Sequence, residues 1–373
     1  MGELTRRELL GRACRLGGCV LVGGVVGGRA IAAGAEGLVK ARYWQPMPGN
    51  VVRCQLCPRG CVVACDERGF CGARCNYDGT YYTMVYGKVA AQSIDPVEKD
   101  PLFHFKPGIS TYAVATAGCN LDCKFCQSWQ IAQSRPEDVE TETMTPAQVV
   151  DRAVQHGCKA MAYTFTEPVN FIEFTLAIAE EARNRGMLNI CHTGAYVNSA
   201  PLTDLCTVMD AFNVDLKGPT DQFYRDVCGN AKLRPVAEAI CTIAGQGNHL
   251  ELTTLVLPTL NDDVASIREI SKWIATTLGP DVPYHLTKFF PQYKLKNLPA
   301  TPNAKLEELR KVAFNDGGLR YVYIGNVPGH GGESTYCPSC SQRLIWRVAY
   351  DIRENLIRGG KCPKCGQKVP GRW

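Results

Sequence analysis

Apolar and polar positions along this chain follow two different rhythms, and the change between them comes near residue 112. Residues 112–117 make a short apolar run of strand character, and 146–156 place apolar positions at helical spacing. The alternation continues with a strand over 159–165, a helix over 169–185 and a strand over 188–192. Further strands are expected at 211–216, 250–257 and 284–290, with helical patterns between them. Strands separated by helices at this spacing predict an α/β fold with a parallel sheet and right-handed crossovers. Six or so such units predict a partial, open (β/α)6 TIM-like barrel rather than a closed eight-fold one.

This core spans 105–327. Ahead of it, residues 50–90 are rich in Cys, Gly and turn formers, with a hairpin expected at 79–89. Behind it, 328–373 form a tail around two Cys-x-x-Cys pairs. Residues 1–36 read as a targeting segment. Thr5-Arg6-Arg7-Glu8-Leu9-Leu10 resembles a twin-arginine signal, and an apolar glycine-rich run at 17–28 and two A-x-A sequences follow it. The run is too short for an ordinary membrane-spanning helix. The plainer reading is an N-terminal extension with a chance Arg pair.

Charge changes the picture little. Lys and Arg number 41 against 36 Asp and Glu, and part of the +5 excess is Arg6, Arg7, Arg12 and Arg15. No polyanion-binding surface and no nucleic-acid partner are expected.

Cysteine changes it a great deal. Six of the 20 cysteines lie between Cys54 and Cys75, three between Cys119 and Cys126, and four in the tail pairs. A chain this long has ample core-forming residues and does not need a disulfide scaffold. Short-spaced clusters fit metal or iron–sulfur ligation.

The central cluster is Gly118-Cys119-Asn120-Leu121-Asp122-Cys123-Lys124-Phe125-Cys126-Gln127. Its Cys-x3-Cys-x2-Cys spacing supplies three thiolates from one loop, at the C-terminal end of the first predicted strand. A [4Fe–4S] cubane held by three protein ligands leaves one iron open, where S-adenosylmethionine (SAM) can chelate. The competing reading is a zinc loop that borrows a fourth cysteine from elsewhere.

On these residues the sequence resembles the radical SAM enzymes, and within them the AmmeMemoRadiSam-system branch related to pyruvate formate-lyase activating enzymes. Other stretches carry the same resemblance: Cys54-Gln55-Leu56-Cys57-Pro58-Arg59-Gly60-Cys61, Arg68-Gly69-Phe70-Cys71-Gly72, Asp95-Pro96-Val97-Glu98-Lys99 with Pro101-Leu102, Thr164-Phe165-Thr166-Glu167-Pro168, Asn213-Val214-Asp215-Leu216-Lys217-Gly218 and Tyr321 to His330. The resemblance implies reductive cleavage of SAM to methionine and a 5′-deoxyadenosyl radical that abstracts hydrogen from a substrate. It implies a low-potential electron donor, and it makes a protein substrate or a Memo-like or AMMECR-type partner candidates.

By the same resemblance Thr166 and Glu167 belong to a turn that receives the SAM ammonium. Asp215 and Lys217 lie on one face of a strand end by period-two alternation, with Lys217 available to a carboxylate. Thr193, Asn198 and Asn261 are weaker candidates for ribose or backbone contacts. Two stretches depart from the branch: Thr193-Gly194-Ala195-Tyr196 where Thr-Asn-Gly-Tyr is expected, and Phe289-Phe290-Pro291-Gln292-Tyr293 where Phe-His-Pro-Asp-Tyr is expected. The second departure removes a His and an Asp that could handle a proton or position a substrate.

Cys337-Pro338-Ser339-Cys340 and Cys362-Pro363-Lys364-Cys365 have zinc-ribbon spacing, with disulfides as the alternative. Cys54, Cys57, Cys61 and Cys71 match the family pattern and can take zinc or a second cluster. Cys65 and Cys75 are extra: they pair, replace a ligand or do neither. Cys158, Cys191, Cys206, Cys228 and Cys241 fall singly in apolar or helical patterns and are expected in the core. A non-catalytic iron–sulfur or zinc protein, an electron carrier or assembly factor, is the rival to the enzyme. For location two arguments oppose: the signal suggests export or membrane association, whereas SAM and low-potential electrons favour the cytoplasm.

Overall fold

Eight strands form the main sheet of the computed structural model, which describes residues 37–373; the expected leader at 1–36 lies outside them. In chain order the strands are β1 (Ala91–Pro96), β2 (Ser110–Ala115), β3 (Ala160–Tyr163), β4 (Leu188–Thr193), β5 (Ala211–Asp215), β6 (His249–Val256), β7 (Tyr284–Lys288) and β8 (Val322–Gly325). Each pairs with its chain neighbour. Strands β2 to β8 run parallel, and β1 pairs antiparallel with β2. Six crossovers join the seven parallel strands, as the six-unit reading expects, and the sheet stays open between β1 and β8. Two strands extend that reading: β1 and β8. The core therefore starts at Ala91 rather than at 105.

The crossover helices are α1 (Pro146–Gln155), α2 (Ile172–Asn184), α3 (Ser199–Val208), α4 (Asp221–Val227), α5 (Leu233–Gly245), α6 (Val264–Thr277) and α7 (Asn303–Asn315). Local chemistry sets their starts. Thr145 and Gln148 form a capping box in front of α1, with Pro146 at its first position, and Asp263 caps α6 through the Ser266 amide. On α5 the buried positions are Val236, Ala239, Ile240 and Ile243. Cys241 lies between them on the outer face and is exposed, which corrects its expected core position; Cys158, Cys191, Cys206 and Cys228 are buried.

The expected hairpin sits earlier than 79–89. Arg74–Tyr77 pairs with Thr80–Thr83 across Asp78-Gly79, both at positive φ, as a two-residue hairpin loop requires. Lys88–Val89 pairs instead with Glu142–Thr143. The cysteine-rich region also begins before 50, because Val39–Lys40 adds a third strand to this hairpin.

Residues 97–108 thread the interior of the open barrel. Val97, Leu102 and Phe105 pack on Ala113, Ala162, Ile190 and Ala211, four inward residues from successive strands, most of them small enough to admit the segment. The His104 amide donates to the buried Glu251 carboxylate, which also takes His249 and His285. The tail docks here rather than standing alone. Phe103, Tyr321 and Tyr323 share a core with Leu344, Ile345, Ile357 and Val369. Arg347, fully buried, donates to the Phe103 carbonyl at 2.7 Å and the Thr335 hydroxyl at 2.8 Å. No helix among the described residues is long and apolar enough to cross a membrane.

Candidate functional site

A cavity of about 310 Å³ opens at the C-terminal ends of the parallel strands, where barrel sites are built. Cys119, Cys123 and Cys126 lie on one side of it, and Thr166, Glu167, Thr193, Asp215 and Lys217 line the rest. The sequence-predicted groups therefore meet in one place, with two exceptions. Asn198 donates to the Gln55 carbonyl at 2.7 Å, outside the cavity. Asn261, fully buried, holds the Lys217 carbonyl at 2.9 Å from behind.

The cysteine loop is held from several elements. Arg59 donates to the carbonyls of Asn120 (2.5 Å) and Gly229 (2.6 Å), Gln133 to that of Leu121 (3.0 Å), and Lys294 pairs with Asp122 at 2.7 Å. Gln292 donates its amide to the carbonyls of Gln127 (2.6 Å) and Cys126 (3.3 Å). A carboxylate is acceptor-only and would face those two oxygens without a proton to offer. Gln292 is therefore a clamp on the cysteine loop. Gly118 has φ +92°, and a Cβ there would collide with the Cys71 carbonyl oxygen and lie 3.3 Å from the Ala73 side chain. Burial raises the Cys119 and Cys126 thiols, the latter to about 12, whereas the neighbouring Cys228 side chain holds Cys123 below the usual thiol range.

Glu167 binds the ends of β3 and β4 together. Its carboxylate accepts from the Thr193 hydroxyl (2.6 Å), the Gly194 amide (2.9 Å) and the Val169 amide (3.3 Å). Phe165, in the turn before it, adopts φ +62°, a strained conformation for a bulky residue and of the kind that gathers at functional sites. Thr166 anchors that turn by donating to the Thr116 carbonyl at 3.0 Å.

The cavity is also lined by a chain of charges, of which sequence reasoning found only the Asp215–Lys217 half. Lys217 Nζ meets Asp215 at 2.8 Å, His192 Nε2 meets the other oxygen of Asp215 at 3.2 Å, and His192 Nδ1 meets Asp100 at 3.4 Å. Burial by itself would lower the His192 pKa, but Asp215 and Asp100 outweigh it and lift it to about 10. Burial likewise opposes the Lys217 charge, and Asp215 more than restores it. Asp215 itself is held below the usual carboxylate range, because Lys217 and His192 overcome its desolvation. Only the strand-end position of His192 hinted at a role; Asp100 comes from the segment inside the barrel, which no periodicity exposes.

The cavity suits the group expected in it. Three cysteines converge on one wall, Asp215 takes one of the three donors of Lys217, and the buried Thr253 hydroxyl on the lining has no protein partner. Tyr350, from the turn of the tail hairpin, reaches the same lining beside Asn326.

A second metal-competent group lies in the tail. The sulfurs of Cys337, Cys340, Cys362 and Cys365 all come within 4.8 Å of one another, none in a disulfide. The two loops match: the Cys337 amide bonds the Gln342 carbonyl as Cys362 bonds Gln367, and Ser341 and Gly366 take the left-handed conformation at equivalent places. Cys54, Cys57, Cys61 and Cys71 gather in the N-terminal region. Cys65 is exposed and Cys75 is buried, and neither is in a disulfide.

The radical SAM superfamily model matches residues 114–270. An uncharacterised protein of Methanocaldococcus jannaschii is 41% identical over 333 residues, 88% of this chain and 98% of its own. Among solved structures, a domain of a pyruvate-formate lyase-activating enzyme from Bacteroides vulgatus aligns at 14% identity over 45% of this chain and 99% of that one, TM-score 0.40. A radical SAM methyltransferase from Sphaerobacter thermophilus aligns at 15% identity over 61% and 71%, TM-score 0.47.

Proposed function

This chain belongs to the radical SAM superfamily, and we propose that it is an activase-like enzyme of the AmmeMemoRadiSam branch that abstracts hydrogen from a polypeptide substrate. The observation that carries the reading is the meeting of Cys119, Cys123 and Cys126 with Lys217 and Glu167 on one cavity. Cys119, Cys123 and Cys126 would hold a [4Fe–4S] cluster, which would supply the electron for reductive cleavage of SAM to methionine and a 5′-deoxyadenosyl radical.

The protein's part is to bind and orient. Thr166 and Glu167 would receive the ammonium of SAM and Lys217 its carboxylate, charge-assisted contacts suited to a zwitterion. Thr193, whose hydroxyl donates to Glu167, would be the candidate for a ribose contact. Asp100, His192 and Asp215 hold Lys217 and the cavity wall in one arrangement, so no reorganisation is needed when the substrate arrives. The motifs that resemble the activases support a polypeptide substrate, and Memo-like and AMMECR-type proteins are the candidates that resemblance offers. In the tail, four sulfurs within 4.8 Å of one another support a four-thiolate zinc site. A non-catalytic carrier would have no use for Lys217 and Glu167 beside the cysteines.

Anaerobic reconstitution with iron, sulfide, dithionite and SAM tests the reading. 5′-Deoxyadenosine is expected from the wild type and not from Cys119→Ala, Cys123→Ala, Cys126→Ala. Its absence from the wild type, or its persistence in the triple variant, sinks the assignment.

A further inference from the structure

We propose that Cys54, Cys57, Cys61 and Cys71 hold a second iron–sulfur cluster that passes electrons to the site at Cys119, Cys123 and Cys126. The electron-transfer half rests on the radical SAM reading; the metal half does not.

The four cysteines come from one folded unit. The Cys54 amide bonds the Cys61 carbonyl at 2.8 Å, and Cys57 lies within electrostatic reach of Cys54, Cys61 and Cys71. A second observation points into the group. Tyr81 is fully buried, its hydroxyl has no partner, and a Cβ placed on Gly69 would lie 2.6 Å from that hydroxyl and 3.9 Å from Cys61 Sγ. A buried hydroxyl without a partner costs about 1–3 kcal/mol, and a thiolate or sulfide acceptor would satisfy it. Arg74, also fully buried and paired with Glu173 at 2.6 Å, lies beside Cys54 and Cys71.

Geometry separates this group from the tail site. The tail sulfurs close to within 4.8 Å, as around one tetrahedral ion; among the described residues neither the N-terminal four nor the catalytic three close so tightly. A cubane sets its thiolates farther apart than a single ion does, because the iron core stands between them. Sequence spacing agrees, since only one Cys-x2-Cys pair is present and the other two cysteines follow singly.

The position suits electron entry. The Cys71 carbonyl packs on Gly118, the residue before Cys119, and Arg59 from the same segment holds the Asn120 carbonyl. A surface cavity of about 490 Å³ is lined by both Cys71 and Cys119. One electron leaves the reduced second cluster, which returns from [4Fe–4S]⁺ to [4Fe–4S]²⁺, and enters the catalytic cluster, which makes the reverse change. A one-electron protein carrier of flavodoxin or ferredoxin type replaces it.

The test uses the full chain, reconstituted anaerobically with ferrous iron and sulfide. The triple variant Cys119→Ala, Cys123→Ala, Cys126→Ala is expected to keep about four iron per chain and, once reduced, an EPR signal that SAM does not alter. Zinc in place of iron in that variant, or no metal at these cysteines, overturns the site. Cys57→Ser with Cys71→Ser reads the opposite half: about four of some eight iron are lost and the SAM-responsive signal remains. Should either variant misfold, Tyr81→Phe decides, lowering the midpoint potential of the SAM-insensitive signal alone; an unmoved potential counts against the site. For the relay, the Cys57/Cys71 variant should slow 5′-deoxyadenosine formation with reduced flavodoxin relative to dithionite by about an order of magnitude. An unchanged ratio overturns the relay. Failure of the wild type to make 5′-deoxyadenosine would remove the catalytic reading while the iron count of the triple variant still decides the site.

Discussion

Replacing Asp215 by Asn tests the charge chain on the cavity wall. His192 is lifted from 6.5 to about 10 by two carboxylates at 3.2 and 3.4 Å. At 1.36 kcal/mol per pH unit that span is worth roughly 5 kcal/mol of preference for the charged imidazole. Burial opposes that charge, so the two carboxylates together supply more than the net span, and losing Asp215, the larger contributor, forfeits at least half of it, ~2 kcal/mol or more after allowance for partial exposure. The sign follows from linkage. A group whose pKa is raised on folding contributes stability that is fully present below its unfolded value, near 6.5, and is lost as pH rises through about 10. Wild-type stability should therefore fall between pH 7 and 10, and Asp215→Asn should be less stable at pH 7 with a shallower fall above it. The assay is NMR titration of chain labelled at the histidine rings, with His192→Gln identifying the resonance among six, alongside urea unfolding at the same pH values. If the His192 resonance titrates near 6.5 in the wild type, the argument is refuted.

Gly118→Ala should cost about 2 kcal/mol or more, because its Cβ meets the Cys71 carbonyl at a left-handed φ, and should reduce iron uptake as measured per folded chain. Gln292→Glu should weaken the cluster loop by about 1 kcal/mol, seen as faster iron loss under chelator; an unchanged rate would remove the clamp role. Cys337→Ser with Cys362→Ser should release about one zinc per chain and expose the tail to protease; unchanged elemental content counts against the site. For location, the native chain and an Arg6→Lys, Arg7→Lys variant can be compared by cell fractionation. Identical cytoplasmic distribution with no shortened form would eliminate export.

Legibility followed sequence distance. The cysteine loop packs its chemistry into eight residues, and the parallel strands announce themselves because burial on both faces leaves apolar runs such as Ala160–Tyr163. Asp215 and Lys217 were readable as a pair because strand alternation puts both on one face. Asp100 and His192 are 92 positions apart and nothing local joins them. Residues 97–108 lack a repeat because they fill a barrel rather than belong to its wall. Gln292 looked like the loss of an acid, since its value lies in two carbonyls 165 and 166 positions away.

The filling of the barrel by residues 97–108 also sets an order of events in folding. His104 bonds the Pro370 carbonyl across 266 positions, and the Lys106 and Arg372 backbones exchange further bonds with it and its neighbours. Contacts of that range repay their loop-closure entropy late. Until they form, Asp100 has no fixed place opposite His192, and the floor beneath the three cysteines is unmade. Iron loaded before that moment would meet a cavity without Asp100 in its lining, so cluster loading is expected to follow the filling of the barrel.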